Sequence, residues 1–152
     1  MLNTSAPDFA LESSIGHKIG LKDLLGSFVV LIFYPMNDTP ICNHQLGDIS
    51  LRAAEFIEWN ARIFGVNTAP PDKHREYCSR RRLNFPILSD PGGVTSKRYK
   101  SWMGWLPMAK RTVVIINPEG TICFYKRGTP STQEIKQVIE NQTSLTSQSS
   151  SP

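Results

Sequence analysis

The residues in this chain whose chemistry goes beyond packing are three cysteines, Cys42, Cys78 and Cys123. Three are too few for the disulfide framework of a small secreted domain. In a reducing compartment a retained cysteine is either a small buried apolar residue or a reactive one. Cys42 follows Thr39, Pro40 and Ile41. Thr suits a helix N-cap and Pro the first helical turn, so Cys42 is predicted to lie in that first turn. The nucleophile is a thiolate, whereas an ordinary thiol ionises near ~8.5. Bringing a thiol down by about two pH units takes ~2.7 kcal/mol in favour of the charged form. A helix N-terminus supplies ~0.3–1 kcal/mol when exposed and up to ~2 in favourable settings. The dipole alone falls short, and a fixed cation is the natural second contributor. Arg111 is the candidate, at the start of the apolar run Thr112–Ile116. If that run is a strand beside Phe28–Tyr34, the guanidinium can approach Cys42. On spacing alone Arg111 is as readily an ordinary strand-entry arginine.

The other cysteines divide by context. Cys78 falls on a predicted helix over 71–83, and Cys123 alternates with Ile122 and Phe124 in a predicted strand, which suits a structural role. Cys42-Asn-His-Gln45 lacks the second sulfur of a CxxC redox pair. Cys42, His44, His74 and Cys78 form a nominal Cys2His2 set, with His74 and Cys78 four residues apart on one helix face. The long separation between its two halves weighs against that set, and no metal or cofactor is expected.

The elements that must hold these residues read as α/β. An extended segment at 7–9 and a partner at 16–20 form an N-terminal β-hairpin extension. Leu21–Leu25 makes a helical turn closed by Gly26. Phe28–Tyr34 is continuously apolar, as befits a central strand covered on both faces. A helix follows from 40 to 59, with Leu46, Ile49, Ala53, Phe56 and Ile57 as its apolar stripe. Then come a strand at 63–66, the helix at 71–83, a strand at 85–88, a short helix at 95–99, and two strands at 112–116 and 121–125. The turn Asn117–Gly120 joins those two strands. A last helix covers 131–141, with Ile135, Val138 and Ile139 inward. The sum is one domain over 1–142, a central mixed sheet flanked by helices, with a disordered Ser/Thr/Gln-rich tail at 143–152.

Four segments carry a family resemblance. Phe33-Tyr-Pro-Met-Asn-Asp-Thr-Pro-Ile-Cys42 resembles the active-site loop of peroxiredoxins: a Pro, three residues, a Thr, two residues, and the reactive Cys. Arg111–Gly120 is similar to the family's later Arg-bearing strand and turn, and Ala6–Phe9 and Leu88–Gly92 match further segments in the same order. The resemblance implies a thioredoxin-like fold and a thiol peroxidase acting on hydrogen peroxide and organic hydroperoxides. Cys42 becomes the peroxidatic nucleophile, and Thr39 a hydroxyl that holds the peroxide. Arg111 stabilises the thiolate, with Gln45 orienting it, and Pro35 shields the sulfur from water. The TPxC form is most similar to the bacterioferritin-comigratory, or Q-type, group. Many members place a second cysteine five residues on, where this chain has Gly47. Others carry it on the next helix, where this chain has Cys78. The resemblance then implies a Cys42–Cys78 disulfide reopened by thioredoxin or a similar dithiol. A one-cysteine peroxidase or redox sensor is the alternative. Ile41 departs from the Gly common before the catalytic Cys. The group also implies a monomer or weak homodimer.

Composition excludes other classes. The net charge of +4 owes much to Lys73, His74, Arg75, Arg80, Arg81 and Arg82. No aromatic–basic ladder or finger spacing accompanies that run, so it reads as a solvated helix face and not a nucleic-acid site. The longest apolar run, seven residues, is far short of the ~20 a membrane helix needs. No secretory signal opens the chain, and a cytoplasmic location is expected. Trp102 and Trp105 read equally as packing or as the lining of a pocket mouth or dimer surface.

Overall fold

The computed structural model describes residues 1–149, and side chains through residue 145. The element that organises it is β3 (Phe28–Phe33), in which every residue is buried. Its side chains alternate between two cores. Phe28, Val30 and Ile32, with Tyr34 just beyond, face one core with Leu46, Phe56, Ile135 and Ile139. Val29, Leu31 and Phe33 face the other with Phe9, Ile19, Leu24 and Tyr99. A strand covered on both sides has no polar face to show, which is why its sequence does not alternate.

Around it lie β4 (Ala61–Asn67), β5 (Ile87–Ser89), β6 (Thr112–Ile116) and β7 (Ile122–Arg127), in spatial order β5-β4-β3-β6-β7. β3, β4 and β5 run parallel, while β6 and β7 run antiparallel to their neighbours. β1 (Ala10–Glu12) and β2 (Lys18–Gly20) form the separate N-terminal hairpin. The fold is thus the thioredoxin-like mixed sheet with its hairpin extension.

The helix expected over 40–59 is broken. α1 (Pro40–Leu51) ends at Arg52, whose N–H turns back to Ile49 O, and α2 (Ala53–Glu58) starts anew. The break keeps Ala53 and Phe56 on the core but leaves Ile57 76% exposed, against its predicted inward position. α3 (Pro71–Arg81) stops where Arg82 turns left-handed at φ 53°. α4 (Val94–Arg98) is short. α5 (Thr132–Ser149) runs past the predicted end at 141, so residues 143–149 are helical where an irregular tail is expected; residues 150–152 of that tail lie outside the described residues. Thr143 Oγ1 donates back to Ile139 O, one turn earlier in the helix. Among the described residues no helix is long and apolar enough to cross a membrane.

Candidate active site

The register between β3 and β6 decides the site. Phe33 pairs with Thr112, so Arg111 lies one step further along, at the end of the sheet where β3 gives way to the loop bearing Pro35 and Thr39. The backbone of Arg111 is held from β7, where Gly128 N–H donates to Arg111 O and Arg127 Nη1 donates to Thr112 Oγ1 at 2.7 Å.

Cys42 is the third residue of α1 and wholly buried. Arg111 Nη1 donates to its Sγ at 3.3 Å and to Gln45 Oε1 at 3.3 Å. Gln45, one turn further along α1, is 4% exposed, and its Nε2 has no partner among the described residues. Thr39 sits at the N-cap but its hydroxyl makes no capping bond; the carbonyl of Thr39 instead accepts from Asn43 N–H. With Pro40 at the first position, the N–H groups of Ile41 and Cys42 open the helix as orphan donors. A guanidinium and a helix start therefore converge on one sulfur, and the amide of Gln45, which shares the guanidinium, has its nitrogen unsatisfied among the described residues. Pro35, which has no N–H to satisfy, lies half-buried in the same loop.

Cys78 is elsewhere in orientation. Its S–H donates to Ser14 Oγ, 3.8 Å away, and Ser14 Oγ also accepts from Ile87 N–H. Burial pushes the Cys78 thiol up, with the Ser14 bond opposing. Tyr77, the residue before it, makes the contact with α1 by donating to Asn43 Oδ1. Cys123 is half-buried against the core, and burial pushes its thiol up to about 11. Trp102 packs on Gly93 under Lys97, while Trp105 is 76% exposed.

His74 is not part of a solvated face. It is fully buried, between Asn37 of the loop and Asn67 at the end of β4. Asn37 Nδ2 donates to Nδ1 and Nε2–H donates to Asn67 O, the pattern of one neutral tautomer. Both ring nitrogens are thereby occupied, and no cluster of three or more metal-ligating side chains exists among the described residues. The sequence reading missed the tie that results. His74 and Arg80 hold α3 to Asn37 and Asp38 of the loop, Tyr77 holds it to Asn43 of α1, and Tyr34 OH steadies Asn37 by donating to its Oδ1. The signal for it was His74, Tyr77 and Cys78 at helical spacing on one face.

Burial holds the His74 pKa below its ordinary 6.5. The unfolded chain takes up that proton near ~6.5 while the folded one resists it, so folding stability should fall as the pH drops below that value. Urea denaturation between pH 7.5 and 5 should show this slope, and His74→Asn should flatten it. An unchanged slope in the variant would assign the acid sensitivity to other groups.

Residues 2–125 match the family described as AhpC/TSA. The chain is 37% identical over 128 residues to the protein named putative peroxiredoxin bcp of Helicobacter pylori strain J99, covering 79% of this chain and 84% of that one. Peroxidoxin BcpB from Mycobacterium tuberculosis has a similar structure, with TM-score 0.83 and 26% identity over 95% of this chain and 99% of its own. AhpC of Enterococcus faecalis shares the fold at TM-score 0.90 and 21% identity, over 99% and 97% of the two chains. A guanidinium on a helix-start cysteine, on this sheet, in a sequence with these relatives, makes the chain a member of the AhpC/TSA family, in its bacterioferritin-comigratory, Q-type peroxiredoxin group.

Proposed function

We propose that Cys42 is the peroxidatic sulfur of a thiol-dependent peroxidase that reduces hydrogen peroxide and organic hydroperoxides. The observation that carries this reading is the Arg111 hydrogen bond to a sulfur in the first turn of α1. The thiolate attacks one peroxide oxygen. An S–O bond forms as the O–O bond breaks, and the departing oxygen leaves as alkoxide or hydroxide and takes a proton. Cys42 is left as a sulfenic acid. Arg111 stabilises charge on the sulfur before attack and on the oxygens during it. Thr39 holds the peroxide through its uncommitted hydroxyl, and Pro35 limits water at the sulfur.

Cys78 then condenses with the sulfenic acid, forming the disulfide and releasing water, and a thioredoxin-type dithiol reopens it. Bridging requires Cα atoms within ~7 Å. Since Cys78 is turned to Ser14 and α3 is tied down at Asn37, Asn43 and Asp38, those ties must open first and α3 unwind locally. The one-cysteine reading is favoured by that same orientation and by the upward push on the Cys78 thiol. Turnover separates the two. With a thioredoxin supplied, Cys78→Ser should consume one equivalent of peroxide at the wild-type rate and then recycle at least tenfold more slowly. Recycling equal to wild type would establish the one-cysteine cycle. The reading places the protein in a reducing cytoplasm, as a monomer or weak homodimer.

A further inference from the structure

His74 is a buried titratable group that the peroxide step does not use. It stands one turn before Cys78 on α3 and belongs to a closed circuit of hydrogen bonds. Tyr34 OH donates to Asn37 Oδ1 at 2.6 Å, and Asn37 Nδ2 donates to His74 Nδ1 at 3.2 Å. His74 Nε2 donates to Asn67 O at 3.3 Å, and Asn67 Nδ2 donates to Tyr34 O at 3.0 Å. The circuit joins the end of β3, the loop between Pro35 and Thr39, α3 and the end of β4. It also stands close to both sulfurs. Burial first, then Tyr77, Cys78 and Cys42, push the Tyr34 hydroxyl well above its ordinary value.

Only the neutral ring completes the circuit, because Nδ1 must accept and a protonated ring carries a hydrogen on both nitrogens. Turning the Asn37 amide over would meet that hydrogen with Oδ1. It would also take the acceptor away from the buried Tyr34 hydroxyl. The charged groups around the ring do not relieve it. Asp72, in the first turn of α3, favours the proton, as do the backbone acceptors at Asn67 and Ala69, yet burial outweighs them. Asp38, beside Asn37 on the loop, is committed to Arg80, and Tyr77 is turned to Asn43. Lys73 and Arg75, its neighbours along α3, are exposed.

We propose that His74 is a latch, a positioning residue whose bond to Asn37 holds α3 against the active-site loop, and whose release by protonation or substitution speeds formation of the Cys42–Cys78 disulfide. The proposal rests on Cys78 being the resolving cysteine. Once α3 opens, the Cys78 thiolate attacks the sulfur of the Cys42 sulfenic acid. The S–S bond forms as the S–O bond breaks, and the hydroxide takes a proton and leaves as water. A released imidazole titrates near its ordinary ~6.5. The held ring resists the proton, so the open form binds it more tightly. The latch is therefore at full strength above ~6.5 and weakens as the pH falls below that value. A latched α3 lengthens the life of the sulfenic acid and exposes it to a second peroxide, which takes it to sulfinic acid.

The test is a single turnover of the full chain with one equivalent of hydrogen peroxide and no reductant. Samples are stopped at intervals, and intact mass reads the rate at which the Cys42–Cys78 bond forms after Cys42 is oxidised. Cys78 ionisation also changes with pH, so the quantity compared is the ratio of variant to wild-type rate, in which that effect cancels. His74→Asn should form the disulfide at least about fivefold faster than wild type at pH 8, the scale of one net hydrogen bond. By pH 5 the wild-type ring is losing the same bond, and the ratio should fall to within about twofold of one. Asn37→Ala cuts the tie from the loop side and keeps the imidazole, so it carries the test if His74→Asn does not fold. Its ratio should likewise be raised at pH 8 and fall by pH 5. A ratio near one at both pH values overturns the latch and leaves Cys78 as resolving cysteine. A raised ratio that is the same at pH 8 and pH 5 also overturns it, since general loosening of the fold does not follow the imidazole. Absence of the Cys42–Cys78 bond in wild type and variants alike overturns the cycle beneath it.

Discussion

Replacing Arg111 by Met should slow the oxidation of Cys42 by hydroperoxide about 10²–10³-fold, the cost of removing one preorganised donor from a developing charge. Met roughly keeps the bulk and removes the charge and the donors. Arg111 Nη1 is the one cationic group in hydrogen-bond contact with Sγ among the described residues, so nothing nearby takes its place. The same nitrogen serves Gln45 Oε1. The variant thus leaves a Gln side chain that is 4% exposed with neither polar atom paired, and a stability loss of ~1–3 kcal/mol should accompany the slow reaction. Arg111→Lys should lie between, since an ammonium keeps the charge but not the fork. Stopped-flow tryptophan fluorescence reads the rate and urea denaturation the stability. Wild-type kinetics in Arg111→Met would mean that the sulfur draws its reactivity from another source.

The second large effect is on folding. Gly93 has φ +70°, and a Cβ there would enter the ring of Trp102. Gly93→Ala forces an Ala into left-handed backbone at ~1–2 kcal/mol, and overpacking against the indole adds ~1–3. A loss of about 3–4 kcal/mol is a large part of the 5–15 kcal/mol of a typical domain. The consequence reaches the site. Trp102 bridges to Ala109, and Lys110 N–H donates to Ser101 O, so the ring anchors the base of the loop that delivers Arg111. Gly93→Ala should therefore lower the urea midpoint sharply and also slow Cys42 oxidation. A stability within ~0.5 kcal/mol of wild type would show that the indole moves aside freely.

How much of this was legible in the sequence depends on the range of the interactions. Phe28–Phe33 announces a two-sided central strand because both its faces are apolar, a local property. The first-turn position of Cys42 follows from Thr39 and Pro40 alone. The approach of Arg111 does not, because it depends on β3 pairing with β6 across some 80 residues in the register that sets Phe33 opposite Thr112. In the sequence His74 is one more basic residue of a run that reads as exposed. Its partners, Asn37 and Asn67, lie 37 and 7 residues away, and only the fold brings them together. The break at Arg52 and the length of α5 were missed for a related reason. Local pattern marks where apolar residues recur, but tertiary contacts choose where a helix bends and how far it runs.

The most direct measurement is site-resolved trapping. The reduced protein is given one equivalent of hydrogen peroxide in the presence of a sulfenic-acid-specific dione, and the adduct is located by peptide mass spectrometry in wild type, Cys78→Ser and Cys42→Ser. The adduct should form on Cys42 in the first two and nowhere in the third, which should also consume no peroxide. An adduct on Cys78 or Cys123, or undiminished peroxide consumption by Cys42→Ser, would contradict the assignment of the reaction to the sulfur beneath Arg111.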